Sequence, residues 1–580
     1  MSSTPEAQQG ASESALTKRQ RELPWLLALA TSALWIVAHL AMHLPRGWPF
    51  TDRRGEWDFL MTAVAMAAGE PPDVVLGAVF GSELGSYLIA ALVAVPVAFG
   101  ADPPAVTRVL GLLAGLIFVG TATWLSGWFA VRIAGSRAAA ASVGAASGVM
   151  ALAWQGLHME FEGLSGNSVE SFLLGFVALS VVVTTPAQGA WRRALLVGCL
   201  MGVAGLFSPV AVWSAAGIGI AGLVLTDGWR RRAKVLLLGV LGGLIPFFAF
   251  ALLLPAGDTA LESLLELRFG SGVGGLPFSS SAPGLRVIGL VGGALAGSAV
   301  NGDLVVRDAA LYGLGWLLAS ALIVVAITGL GRRDLTRRVR VLAAVGASWA
   351  VPVMLQSNEH PYPLAYRYWM VGVGVSFVLL PLALLRTGRL GAGVGVASVI
   401  TALIVAFSLP RAIFDPPLTR AAAIGEAAAH SMAPREGRGR HEQYLRIAPH
   451  LAWSDERAGF AEGYGMHLGA DHAMSSPPDT SEWRSLAEAL PENLRPGYLV
   501  GVGCGLTVRP LAPRTLTQIR RGPANHQAPL WWGLGRCSEA PAMAELEGEP
   551  AFEAGRSNRP MGPIRSVFVD PAQSIAPRGE

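Results

Sequence analysis

The sequence predicts an all-α polytopic membrane protein with about eleven transmembrane helices, juxtamembrane helices in the first outer loop and a small, mainly helical extracytoplasmic C-terminal domain. Three observations predict this class. Hydrophobic residues make up 52% of the 580 residues and charged residues only 14%, which is typical of chains that cross a membrane repeatedly. The 70 glycines and 17 tryptophans suit close helix packing and anchoring at the interface. Lys and Arg gather in short segments between apolar runs, as in cytoplasmic loops.

Charge and cysteine content exclude several function classes. The net charge of +4 is small for a chain of this length, and no basic stripe is interleaved with aromatic residues, so no nucleic-acid partner is expected. Three cysteines are too few for a disulfide scaffold or a zinc site, and none forms a CxxC pair.

The first element is a polar tail over residues 1–22, which ends in Lys18, Arg19 and Arg21. An apolar run over 23–44 follows and is long enough to span a bilayer, and its basic flank predicts a cytoplasmic N-terminus. A cleaved signal peptide is the alternative. It is disfavoured because the run is long and many more follow.

The positions of basic residues fix the next elements. If the apolar runs 84–99 and 105–131 both crossed the membrane, Arg132 and Arg137 would lie outside. The sequence therefore predicts that 84–99, interrupted by Pro96, is a short helix at or dipping into the outer surface, and that only 105–131 crosses.

The remaining spans alternate in direction and complete a transmembrane domain over residues 23–410. The predicted spans are 138–157, 194–207, 235–256, 340–356 and 391–410 outward, and 170–185, 208–226, 308–330 and 368–386 inward. In this topology nearly all acidic residues fall outside, so the chemistry is expected on the outer face.

The polar remainder predicts an extracytoplasmic helical-repeat-like domain over 411–545 and a disordered tail over 546–580. The segments FAEGYGMHLG, PGYLVGVGCGL and PLWWGLGRC recur within the domain, and short helices packing through glycine faces have this pattern. Cys504 and Cys537 lie at related points of two segments. They either form a disulfide in an oxidising compartment or stay as two buried thiols.

The segment after the first span, WPFTDRRGEWDFLMTAVAMAAGEPPD, sets Asp52, Glu56 and Asp58 just outside the membrane. A carboxylate there can act as a general base toward an acceptor hydroxyl, or hold a divalent cation on the phosphate oxygens of a donor. The alternative is a solvated loop in which Asp52 pairs with Arg53 or Arg54.

Two further outer segments carry candidate residues. SNEHPYPLAYRYW places His360, Arg367 and Tyr368 together at the outer edge, where Arg suits bidentate phosphate binding and Tyr stacks on sugars. An aromatic belt with a snorkelling arginine is the alternative. QGLHMEFEG sets His158 and Glu162 four residues apart, which gives half a metal site or a solvated loop.

Together these segments resemble the GT-C superfamily of membrane glycosyltransferases, of the protein-mannosyltransferase and aminoarabinose-transferase type. The resemblance covers about residues 23–410. GEWDFLMTAVAMAAGEPP is similar to the family's first outer loop, and LGSYLIAALVAVPVAFGADPPAVTRVLGLLAGL is similar to its surface helix followed by a span that opens near an arginine. VGCLMGVAGLFSPVAVW is similar to a short span broken by proline, and AYRYWMVGVGVSFVLLPLAL to its RY motif before an apolar span.

The resemblance implies inverting transfer of a sugar from a polyprenyl-phosphate carrier to a lipid, glycan or protein acceptor on the outer face. Glu56 would be the catalytic base, with Asp58 as the alternate. Arg367 and Tyr368 would contact the donor phosphate and the carrier, and Arg108 would also face the phosphate. The basic loops and the lack of a targeting peptide predict a bacterial inner-membrane location.

One departure keeps a second hypothesis open. The family's usual Asp-Glu pair is here Gly55-Glu56, which brings both metal use and activity into question. The alternative function is a non-catalytic membrane scaffold or assembly factor of the same fold. A transporter is disfavoured because no charged residue is predicted mid-span and no two related halves are visible.

Overall fold

In the computed structural model, every regular element among the described residues is a helix. The described residues are 18–43, 63–64, 66–69, 84–101, 103–134, 137–153, 157–158, 161, 164, 168–186, 189–207, 211–253, 333–348, 370–386, 465–466, 468–470, 472–473, 480–490, 492, 494–507, 513–537 and 549–557.

The helices fall into two sets. The first is α1 (Lys18–His43), α2 (Leu84–Ala98), α3 (Pro103–Ala134), α4 (Arg137–Ala153), α5 (Ser168–Thr184), α6 (Ala190–Phe207), α7 (Ala211–Leu225), α8 (Trp229–Leu253), α9 (Arg333–Ser348) and α10 (Met370–Arg386). The second is α11 (Thr480–Ala489), α12 (Arg495–Leu506), α13 (Pro513–Arg520), α14 (Ala524–Cys537) and α15 (Pro550–Ser557). Helix α1 and helices α3–α10, from Pro104 onward, belong to one compact unit, here called the bundle. Helices α11–α15, here called the C-terminal helices, belong to a second, and the boundary crosses α2 after Ile89.

Three helices of the described chain are long and apolar enough to cross a membrane, over Lys18–Leu40, Ala105–Ala134 and Ala190–Phe207. Five shorter apolar helices accompany them. The prediction of a helical protein with helices long and apolar enough to cross a membrane is therefore confirmed. The predicted spans 308–330 and 391–410 lie outside the described residues, so the number of about eleven stays a prediction.

Neighbouring helices of the bundle run in the relative directions that the predicted alternation requires. Along the antiparallel pair α1 and α3, Pro24 packs on Gly127 and Trp35 on Gly115. Contacts between other pairs give further directions: α1 and α4 parallel through Leu27–Gly144 and Thr31–Gly148, α6 and α8 parallel through Gly198–Gly239 and Gly202–Gly243, and α5 and α10 parallel through Gly175–Val371 and Phe176–Gly374.

Arginine side chains close the ends of α5 and α7. Arg338 donates from Nη1 to the carbonyl oxygens of Val183 at 2.6 Å and Thr185 at 2.9 Å. Arg337 pairs with Asp227, Nη1 to Oδ1, at 3.1 Å. The last carbonyls of a helix lack intrahelical donors and carry the negative end of its dipole, so a guanidinium satisfies both needs. This region, where α5 and α7 end and α6, α8 and α9 begin, is called the arginine end.

The structure differs from the sequence interpretation at the basic segments. The interpretation placed Arg332–Arg340 in a loop before a span at 340, whereas α9 begins at Arg333. Arg231 and Lys234 likewise lie inside α8. Arginine and lysine are good helix formers, and at the arginine end they gain carbonyl partners, so helices continue through them.

The C-terminal helices pack through glycines, as the repeated motifs predict. Gly501 of α12 lies directly against the backbone of Met466 in the first motif, and Gly533 of α14 against the backbone of Val500. Each of these glycines occupies a position where a Cβ would overlap the neighbouring carbonyl oxygen. A disulfide joins Cys504 to Cys537 with their Cα atoms 5.1 Å apart. Of the two alternatives for these cysteines, a disulfide or two buried thiols, the structure therefore has the disulfide.

Helix α15 lies within residues 546–580, where composition predicts a disordered tail. Its Phe552 is buried and contacts Gly535 of α14. The structure differs from the prediction at Pro550–Ser557 because one aromatic side chain finds a glycine face to cover. A short polar segment with one such residue gives almost no periodic signal.

Candidate functional site

A buried aromatic side chain joins α1 to α3 near the end of α1. Trp35 is fully buried, and its Nε1 donates to the Leu112 carbonyl oxygen at 3.2 Å. Its indole lies against Gly115, where a Cβ would overlap the ring. The glycine therefore lets a tryptophan bury its whole ring between two helices, and the indole N–H retains a partner.

Two histidines extend this contact toward the end of the bundle. Trp35 stacks on His158, with ring centroids 4.3 Å apart, and His158 lies in the connection between α4 and α5. His39, one turn after Trp35, places its Nδ1 3.4 Å from the Nδ1 of His158. Trp35, His39 and His158 are called the histidine cluster.

The hydrogen bonds assign the protons in this cluster. His158 Nε2 lies 2.8 Å from the Leu152 carbonyl oxygen, so Nε2 carries the proton and donates. A neutral His158 then has an unprotonated Nδ1 that accepts a hydrogen bond, and His39 must donate from its own Nδ1. Burial lowers the pKa of His158 to about 4 because the imidazolium would lose its hydration. His158 is thus neutral at physiological pH.

Arg108 is a buried residue of α3, one turn before Leu112, whose carbonyl accepts the hydrogen bond from Trp35. It is 3% exposed and shares one face of α3 with Leu112 and Gly115, four and seven residues later. Because α1 and α3 run antiparallel, with Pro24 on Gly127 and Trp35 on Gly115, His39 lies at about the level of Leu112, one turn along α3 from Arg108. A guanidinium keeps its charge when buried, so this end of the α1–α3 contact carries a permanent cation away from water.

Helix α5 begins on the same connection that carries His158. Glu170, in its first turn, is buried, which places a carboxylate at the positive end of the helix dipole. Among the described residues, no group of three or more His, Cys, Asp or Glu side chains is placed to hold a metal ion.

No protein-family model, curated protein or solved structure matches this chain. The function is therefore inferred from the side chains of this chain.

The structure locates one of the residues predicted to form the site. Arg108 lies at the outer-facing start of a predicted inward span, about one helical turn along α3 from the level of His39. The other predicted site residues lie outside the described residues: Glu56, Asp58, His360, Arg367 and Tyr368. Glu162, predicted to share a helix face with His158, lies outside them too.

Sequence reasoning missed Trp35 and His39, which lie inside the first apolar run. Their signal is a histidine near the end of an apolar span, one turn after a tryptophan. Polar side chains in such spans face the bundle interior, so this spacing identifies the interior face of α1.

The arrangement favours binding of an anion at the end of a helical bundle. A guanidinium binds phosphate or carboxylate through paired N–H donors. The neutral His158 adds no charge and links the Leu152 carbonyl to His39 through its two ring nitrogens. A negatively charged ligand with a polar group is the chemistry that these residues fit.

Proposed function

We propose that this protein is a glycosyltransferase that moves a sugar from a polyprenyl-phosphate donor to an acceptor on the outer face of the bacterial inner membrane. The observation that supports it most is the buried Arg108, one helical turn before Leu112, where Trp35 of the histidine cluster contacts α3. Arg108 is the described residue to which the resemblance to GT-C glycosyltransferases assigns contact with the donor phosphate.

The proposed reaction creates negative charge at the phosphate. When the bond between the anomeric carbon and the phosphate oxygen breaks, the phosphate leaves with an additional negative charge. A pre-positioned cation in a water-poor site stabilises this charge more than it stabilises the donor, which is how such a group lowers a barrier. Arg108 has the burial and permanent charge for this role, and Arg367 would add a second guanidinium.

The acceptor must lose a proton as the new glycosidic bond forms. Glu56 is the proposed general base, and Asp58 is its alternate. His360 and Tyr368 are proposed to contact the donor phosphate and its carrier. A divalent cation is an alternative partner of the phosphate, with Glu56 and Asp58 as its candidate ligands.

The proposed topology places the arginine end in the cytoplasm and the histidine cluster near the outer face. The basic residues at the arginine end agree with the preference of Lys and Arg for the cytoplasmic side. The N-terminus would then be cytoplasmic and the C-terminal helices extracytoplasmic. The disulfide between Cys504 and Cys537 fits an oxidising compartment on that side.

Sugar transfer by membranes that hold the full chain tests the proposal, with a panel of radiolabelled polyprenyl-phosphate sugars as donors. Replacing Arg108→Gln should lower kcat/KM by roughly 100-fold or more, the size of effect seen when one oxyanion-stabilising group is lost. Glu56→Gln should abolish transfer. The matched control is Arg137→Gln, which removes an exposed arginine at the start of α4 and should transfer like the wild type.

The outcomes separate the roles. Transfer that survives in Glu56→Gln assigns the base to Asp58. Wild-type rates in a folded Arg108→Gln protein would remove Arg108 from the site. A wild-type protein that neither binds nor turns over any donor would instead support the second candidate.

That candidate is a non-catalytic scaffold or assembly factor. Two observations favour it: Gly55 stands where the family has an acid, and helices α12 and α14 are joined by a disulfide and pack through glycines. Arrays of stacked short helices commonly present a surface for protein partners. Capture of a specific envelope protein by the full chain, retained in Glu56→Gln, would favour this function.

A further inference from the structure

A groove runs along the bundle between α6, α7 and α8. Its volume is about 420 Å³, within the roughly 300–1,000 Å³ range of small-molecule sites. Apolar side chains and glycines line most of it, among them Met201, Gly219, Gly222 and Val240. Arg193 and Thr226 lie at one end, which is the arginine end.

The groove is open to the surroundings of the bundle along one side. Leu236, Val240 and Leu244 of α8 line it and are also among the large hydrophobic residues exposed on the bundle. In a membrane these side chains face lipid chains. A ligand can therefore enter sideways from the bilayer, without passing through water.

The length of the groove matches one leaflet. On α6 its lining extends from Ala190 to Gly202, which is about 18 Å at 1.5 Å per residue. The hydrocarbon core of a bilayer is about 30 Å thick, so the groove covers somewhat more than half of it. A single acyl chain of one leaflet has this reach, whereas a polyprenyl chain is much longer than the groove.

The charge at the groove's polar end is positive. Arg193 is exposed and donates to Thr185 Oγ1 at 3.1 Å, and Lys234 lies over the Trp191 ring at 4.3 Å. The nearby Asp227 is paired with Arg337. The groove thus combines an apolar channel of leaflet depth with a cationic mouth at headgroup level, which is complementary to an anionic phospholipid.

We propose that this groove binds one acyl chain of an anionic phospholipid from the leaflet at the arginine end, with the lipid phosphate on Arg193. The site is separate from the histidine cluster and does not depend on the proposed glycosyl transfer. The bound lipid would fill the space between α7 and the closely packed pair α6 and α8.

The glycines of α7 allow a clean test. A Cβ at Gly219 meets nothing within 4 Å, and one at Gly222 meets only Val235 Cγ1 at 3.7 Å. Both glycines line the groove and have room for a Cβ, so leucine is the substitution chosen to fill it. Gly205 of α6 also has nothing within 4 Å of a Cβ and does not line the groove, so Gly205→Leu is the matched control.

Native mass spectrometry of the full chain, released from detergent after titration with phosphatidylglycerol, counts the lipids that stay bound. Arg230 is an exposed arginine at the start of α8 that does not line the groove, so Arg230→Gln is the control for Arg193→Gln. The wild type, Gly205→Leu and Arg230→Gln should each retain one phosphatidylglycerol. Gly219→Leu, Gly222→Leu and Arg193→Gln should lower its retention at least tenfold. Thermal melting of each variant establishes that it is folded, and two groove-filling variants are used so that a misfolded one does not decide the result.

Four results would overturn the proposal. Retention of phosphatidylcholine equal to that of phosphatidylglycerol would mean that the site does not select an anionic headgroup. Undiminished retention in both groove-filling variants would place the lipid elsewhere. Absence of retained phosphatidylglycerol would mean that the groove does not bind this lipid. Stronger retention of a polyprenyl phosphate in the same titration would mean that the groove binds that lipid instead.

Discussion

The bundle and the C-terminal helices pack through glycines in the same way but differ in the side chains that they expose. In both, glycines bring helix backbones into direct contact, as at Gly198 on Gly239 in the bundle and Gly501 on Met466 in the C-terminal helices. The bundle exposes many large apolar side chains, such as Leu29 and Ile220. Among the described residues of α11–α15, Leu486 is the only large hydrophobic side chain with comparable exposure.

Close packing through glycines is therefore common to both sets of helices, whereas the apolar character of their exposed side chains differs. Lipid supplies no hydrophobic drive between helices, so a membrane bundle needs the close approach that glycine permits. In water the short C-terminal helices bury apolar surface, but each has few residues with which to do so. A covalent link between Cys504 and Cys537 supplements this small core.

The largest expected effect comes from adding a side chain at a glycine contact. Gly198→Val should separate α6 from α8, and Gly501→Val should separate α12 from Met466. Each should cost more than about 3 kcal/mol, at the upper end of overpacking effects, because the neighbour is backbone and has no rotamer to change. Thermal unfolding followed with limited proteolysis should show loss of the bundle in the first variant and loss of only the C-terminal helices in the second.

Gly205→Val is the control for the bundle, since a Cβ there meets open space. It should melt like the wild type. If Gly198→Val melted at the same temperature as Gly205→Val, the α6–α8 contact would not be the close backbone packing described above.

The next effect sharpens the role of the covalent link. Replacing both Cys504 and Cys537 by alanine should destabilise the C-terminal helices by about 2–4 kcal/mol, because the unfolded chain gains conformational freedom. Proteolytic susceptibility as a function of urea concentration measures this, and the bundle should remain unaffected. Cys199→Ala, which removes the free cysteine of α6, is the control. Equal urea midpoints for the double variant and wild type would mean that the link adds no stability.

Much of the helical layout was predictable because apolar length and basic flanks depend on local sequence. The start of α3 near Arg108 and the glycine faces of the C-terminal motifs both follow from such patterns. The ends of helices at basic segments were predicted poorly. Arg338 stays helical because it caps α5, which lies more than 150 residues earlier, and no local pattern reports such a partner.

The histidine cluster illustrates the same limit. Its members come from α1 and from the connection after α4, and Gly115 of α3 makes the space that Trp35 fills. The sequence contains each of these residues but does not show that they contact one another in the fold. The groove is harder still to predict from the sequence. Gly198 allows two helix backbones to touch, whereas Gly219 leaves an open space, and nothing in the local sequence distinguishes the two glycines.

The smallest expected effect concerns the histidine cluster and depends on pH. The pKa of His158 is about 4 in the folded protein, below its ordinary value of 6.5. Between these values the unfolded chain binds the proton and the folded protein does not. The stabilisation is therefore complete above pH 6.5 and decreases as pH falls toward 4, with a loss of about 2 kcal/mol at pH 5 from this residue.

Thermal melting of wild type and His158→Phe between pH 8 and pH 4 checks this. Phenylalanine keeps a ring stacked on Trp35 but cannot take a proton, so the variant is expected to lose less stability on acidification than the wild type. The C-terminal helices, which do not contain this group, should show the same pH dependence in both proteins. Parallel melting curves for the bundle would mean that His158 can take up a proton without losing its place between Trp35 and His39. In that case its neutrality would not contribute to holding α1, α3 and the α4–α5 connection together.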